Sequence, residues 1–151
     1  MGRLNDIVTG AAGGTFGGLA MFAVRVVGTQ TGIIAHSLPD KFERGMARRT
    51  GIAKRRDIEQ QKELAIAEHL LLSAGLGGGY GLLRGWIRPP VVIGGAVYGL
   101  MIYGLLLLGV GPSLEITRPP HEKAPTSVVS EIMVHLLFGI VTVLTTDRIR
   151  R

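Results

Sequence analysis

The chain has 151 residues, a formal net charge of +6 and no cysteine, which excludes disulfides, thiolate metal sites and a cysteine nucleophile. Hydrophobic residues make up 46%, a further 23 residues are glycine, and the mean hydropathy is +0.34; counted together with glycine, the apolar share exceeds the ~45–50% of soluble domains. The length is that of one domain, 1–151. In a soluble protein the basic balance would suggest nucleic acid. Here the cations flank apolar blocks, where they read as contacts to anionic lipid head groups and as a topology signal.

Four apolar blocks stand out, at 7–27, 64–83, 91–110 and 128–146. Each approaches the ~20 residues that a membrane-crossing helix needs. The expected fold class is therefore all-α: a four-helix transmembrane bundle in a single multi-pass domain. The alternative, buried helices of a soluble bundle, is set aside on block length and on the scarcity of acidic residues inside the blocks.

The first block is not followed by a small-residue cleavage pattern, so it reads as a retained span rather than a signal peptide. It carries Gly10, Gly14 and Gly18 at a spacing of four, with Gly13 and Gly17 beside them. Lipid tails give helices no hydrophobic push toward one another, so small residues that let backbones approach are the natural contact surface. The basic loop 29–62 follows, in which Arg48, Arg49, Lys54, Arg55 and Arg56 are candidate ligands for lipid head groups. From residue 57 onward the loop is rich in helix formers and is expected to run into the second span as one helix.

The second span repeats the device with Gly77 and Gly81, and the third with Gly95 and Gly99. The short "RGWIRPP" connection predicts spans two and three as an antiparallel hairpin, with Pro89 and Pro90 opening the third, where a missing N–H costs little. The third connection is rich in turns and prolines. Ser127, with Glu131 behind it, is the expected N-cap of span four. "HLLLSAGLGGGYGLLR" from His69 and "HLLFGIVTVLTTDRIR" from His135 echo each other, as do "GGTFGGL" from Gly13 and "GGAVYGL" from Gly94, which two related helical hairpins would explain.

Helical spacing puts Glu131, His135, Gly139, Thr142 and Thr146 on one face of span four. It likewise groups His69, Ser73, Gly77, Tyr80 and Arg84 on span two, and Asp6, Gly10, Gly14, Gly17, Met21 and Arg25 on span one. In a four-span topology Arg25, Glu68, His69, Glu131 and His135 come to the same end of the bundle. Ionisable groups inside a membrane usually pair or face a cavity. Three readings of this polar cluster follow: an Arg25 ion pair to Glu68 or Glu131 that locks the bundle, a proton, ion or small-ligand path, or a haem held between His69 and His135. No metal-ligand spacing is present, and no cofactor is expected under the first reading.

A Gly-rich first span, a His opening the second with Tyr80 and Gly81 ahead of a short turn, the "GGAVYG" third span, a "GP" turn with "PP" after it, and Ser130, Glu131 and His135 opening a fourth span with a basic end together resemble the YagU-like small inner-membrane proteins. That resemblance implies a four-helix integral protein of a prokaryotic cytoplasmic membrane without an established biochemical activity. With no nucleophile elbow or phosphate loop, the chain is expected to be no enzyme. The expected role is structural, in assembly, or as an accessory subunit, self-associating or joined to a larger membrane complex. Ion or small-solute conduction and a haem-binding redox subunit are the alternatives.

Overall fold

The computed structural model describes residues 2–32, 58–87, 89–115 and 117–151, with side chains at 58–62 left out. The proposed head-group ligands Arg48, Arg49, Lys54, Arg55 and Arg56 lie outside the described residues. Four long helices dominate: α1 (Arg3–Gln30), α2 (Ile58–Arg84), α3 (Val91–Tyr103) and α4 (Pro125–Ile149). Helix α3 continues as a π-helical segment, Gly104–Val110, and a last helical turn, Gly111–Ser113, before a 3-10 turn at Pro120–Glu122. No strand occurs among the described residues.

Three of these helical stretches are long and apolar enough to cross a membrane: Arg3–Gln30, Val91–Ser113 and Pro125–Ile149. The fourth expected span, α2, falls below that measure, because Glu68, His69 and the glycine-rich run 75–81 dilute its hydropathy. A correction concerns α4. It begins at Pro125 with Ala124 as N-cap and no capping side chain, so Ser127 lies inside the helix; proline at the first position already supplies the required φ.

The glycines determine which helices touch. A Cβ on Gly10 would fall 2.7 Å from Gly81 Cα, and one on Gly77 would fall 2.5 Å from Gly14 Cα. Gly18 packs the same way against Ser73. This seam joins α1 to α2. The neighbouring stripe of Gly13 and Gly17 lies against Thr146, Thr142 and Phe138 of α4, and Gly95 and Gly99 of α3 meet Gly139, Ile140 and the His135 carbonyl of α4. All three seams lie within one chain. The bundle is therefore the open series α2–α1–α4–α3.

The two helices flanking the short 84–90 connection are held together differently from the seamed pairs. Helices α2 and α3 have no glycine seam, and they meet through side chains. The Tyr98 hydroxyl donates to the Leu76 carbonyl at 2.6 Å, and the Tyr80 and Tyr98 rings lie 5.0 Å apart. The α1–α2 and α3–α4 seams share a register: Gly18 faces His69 and Ser73 as Gly99 faces His135 and Gly139.

Since Gly77 meets backbone on α1, a Cβ there cannot be relieved by a rotamer change. Gly77→Ala should lower the thermal unfolding temperature in mild detergent, by the ~1–3 kcal/mol typical of overpacking. Gly79, two positions on, has nothing within 4 Å, so Gly79→Ala should be neutral or stabilising by up to ~1 kcal/mol from helix propensity. Equal melting shifts for the two variants would contradict the seam.

Candidate functional site

Two polar centres occupy opposite ends of the bundle. At the end holding both chain termini, the Arg84 guanidinium grips Asp147 with two bonds, Nε to Oδ1 at 2.6 Å and Nη2 to Oδ2 at 2.7 Å. Beside it Arg150 Nη2 donates to Asp6 Oδ1 at 2.6 Å. The Asp147 carboxylate raises the Arg84 pKa further above its ordinary value, chiefly through that hydrogen bond, so Arg84 is fully charged at any ordinary pH. Helical spacing already turns Arg84 and Asp6 inward but assigns them no partners. It does not single out Asp147 and Arg150, which lie beside the inward-facing Thr146.

At the other end lies the expected cluster. Arg25, Glu68, His69 and His135 line one cavity of about 100 Å³ together with Met21, Leu72, Ser73, Leu76, Ile102, Leu106, Leu107, Thr117 and Phe138. Four helices and the third connection contribute walls, which are mainly apolar. Arg25 is buried, His69 is half-buried and Glu68 is exposed at the rim. Phe138 and Leu76 lie toward the bundle interior, where the Tyr98 and Phe138 rings stack at 6.3 Å.

Glu131 does not line this cavity. It is 1% exposed, and both its carboxylate oxygens accept from Lys123 Nζ, at 3.0 and 2.9 Å. The sequence expectation was an Arg25 lock to Glu68 or to Glu131; the partner found for Glu131 is Lys123, a connection residue that spacing along the helices could not bring to it. A buried carboxylate needs a cation within reach, and the 3-10 turn at Pro120–Glu122 delivers one.

The histidines are oriented by backbone. His135 Nδ1 lies 2.6 Å from the Glu131 carbonyl, and its ring meets Tyr103 edge-on at 5.5 Å. His69 Nε2 lies 3.2 Å from the Gly18 carbonyl. A carbonyl oxygen only accepts, so the ring nitrogen carries the proton in each case. Haem does not fit this arrangement. The Nε2 of His69 is already committed to Gly18, and the cavity is well below the ~300–1,000 Å³ of pockets that hold drug-sized ligands. Among the described residues no group of three or more His, Asp or Glu side chains could hold a metal ion.

Thr117 enters the cavity wall because the turn after Gly111–Ser113 reverses sharply. Glu115 takes a positive φ of 55°, and Thr117 N donates to the Gly111 carbonyl at 3.2 Å, a left-handed closure of a helix end. The π-helical segment, absent from the sequence expectations, places Leu106 and Leu107 on the same wall.

The two ends should differ in their response to losing a cation. Lys123→Met leaves the Glu131 carboxylate buried and unpaired, at a cost of about 3–5 kcal/mol. Arg84→Met should cost less, because Asp147 keeps 13% side-chain exposure against 1% for Glu131. Thermal unfolding of the two variants in the same detergent checks the order, and a larger loss for Arg84→Met would contradict it. No protein-family model matches this chain, and neither does any curated protein or solved structure.

Proposed function

We propose that the protein is a multi-pass membrane protein of structural or accessory type, a non-enzymatic bundle whose polar clusters hold its helices together. The observation that carries this reading is the distribution of polarity. Leu4, Leu71, Val92, Val97, Met133 and many other large apolar side chains are exposed, whereas Thr9, Arg25, Ser73, Glu131, His135, Thr142 and Thr146 are buried. In water such an outer surface would be a severe aggregation liability. In lipid it is the stable arrangement, because polar groups then face one another and apolar ones face the chains. On this reading α2 also spans, its weak hydropathy tolerated because its glycine and hydroxyl face lies against α1.

The motif likeness at Tyr80, Gly81, Pro119, Pro120, Glu131 and His135 supports placing the protein among YagU-like proteins of a prokaryotic cytoplasmic membrane. Association with a second copy or with a larger membrane complex would use the outer apolar faces, since the glycine seams are occupied within the chain. Anionic lipids complete the set of partners.

Conduction through the polar cluster is the second reading, favoured by the cavity at Arg25, His69 and His135. Against it, the interior beyond Phe138 is close-packed: Thr142 and Thr146 are fully buried against the α1 glycines, and Tyr80 and Tyr98 close the α2–α3 side. Protein expressed in cells should stay in the membrane pellet after alkaline carbonate washing. Proteoliposomes should pass protons no faster than empty vesicles. Release by carbonate would overturn the membrane reading, and a proton flux abolished by His135→Ala would overturn the structural one in favour of conduction.

A further inference from the structure

We infer that the cavity at the Arg25 end is a binding site for a short-chain monocarboxylate. Two hydroxyls in its wall, those of Ser73 and Thr117, belong to buried residues. Ser73 is 4% exposed and Thr117 is 7% exposed. The Thr117 hydroxyl has no hydrogen-bond partner, and the Ser73 hydroxyl has none among the described residues. Buried polar atoms are normally satisfied, so an unsatisfied one in a cavity wall has a bond to offer a guest. A serine in mid-helix would ordinarily bond back to a carbonyl one turn earlier, as Thr9, Thr15 and Thr146 do here. Ser73 departs from that pattern at the position where it lines the cavity.

The third donor is the Arg25 guanidinium, which is already engaged elsewhere but has five N–H groups and can serve a further acceptor. Its charge selects an anionic head, and a guanidinium with hydroxyls beside it suits a carboxylate. The remaining wall, Met21, Leu72, Leu76, Ile102, Leu107 and Phe138, is apolar and suits a hydrocarbon tail. Size limits that tail. At ~10–15 Å³ of such volume per water-sized group, a cavity of about 100 Å³ admits a guest of roughly seven to ten heavy atoms. That is a carboxylate of about five to eight carbons. The exposed Glu68 stands at the rim.

The test is titration of the full-length protein in lipid nanodiscs with sodium hexanoate, followed calorimetrically, with 1-hexanol, sodium chloride and sodium dodecanoate as comparators. Saturable binding of one hexanoate per chain is expected. Loss of one hydrogen bond to a charged group should weaken it about tenfold or more in Ser73→Ala and in Thr117→Val. Glu68→Gln, a change at an exposed position that leaves the fold intact, should tighten binding several-fold by removing a like charge from the rim. Weaker binding of hexanol, chloride and dodecanoate is expected from the missing charge, the missing tail and the excess length respectively. No saturable hexanoate binding would overturn the inference, and so would binding unchanged in both hydroxyl variants. Chloride or dodecanoate binding as tightly as hexanoate would overturn the ligand class. The variants' melting temperatures, measured alongside, separate a lost ligand contact from a lost fold.

Discussion

Backbone-to-backbone approach at the glycine seams is the constraint on which the rest of this structure depends. Helix α1 carries two stripes one residue apart, Gly10–Gly14–Gly18 toward α2 and Gly13–Gly17 toward α4. One helix can therefore be the centre of the bundle with few side chains on its inner faces, chiefly Thr9, Met21 and Arg25. The side chains that fill the remaining space come from its neighbours: Ser73, Thr142, Thr146 and Phe138. Such close approach gains dispersion contacts and weak Cα–H hydrogen bonds. It supplies helix association where the hydrophobic effect cannot.

The seams also decide where empty space remains. Because α1–α2, α1–α4 and α3–α4 are zipped, any looseness must fall between α2 and α3. There two tyrosines bridge the middle and a cavity opens at one end. The π-helical segment of α3 sits on that wall, in keeping with the tendency of such segments to mark functional places in helices. The Lys123–Glu131 pair ties the third connection, which carries Thr117, to α4, which carries His135, across the same end. At the far end the Arg84–Asp147 and Arg150–Asp6 pairs join α2 to α4 and α4 to α1, which closes the bundle where the chain termini meet.

Much of this was legible in the residues. The inward faces of α1, α2 and α4 follow from helical spacing, because a glycine or hydroxyl stripe among leucines and valines can only face another helix. The convergence of Arg25, Glu68, His69 and His135 at one end follows from counting residues along antiparallel helices. What spacing could not supply was anything carried by the connections: the Lys123 partner of Glu131, the turn that inserts Thr117, and the start of α4 at Pro125 rather than after Ser127. Connections lack a period, so their side chains have no computable direction. The order α2–α1–α4–α3 was also hidden. A short loop between α2 and α3 makes them neighbours in sequence, but the glycine stripes choose other partners.

The most direct test is whether the seams form within a chain. Isotope-filtered NMR on a mixture of labelled and unlabelled protein in detergent micelles distinguishes the two cases through the contact between the Gly14 and Gly77 α-protons. A cross-peak in the uniformly labelled sample that vanishes from the intermolecular-filtered spectrum is the predicted result. A cross-peak that appears only between chains would make the seams an oligomer interface and contradict the bundle described above.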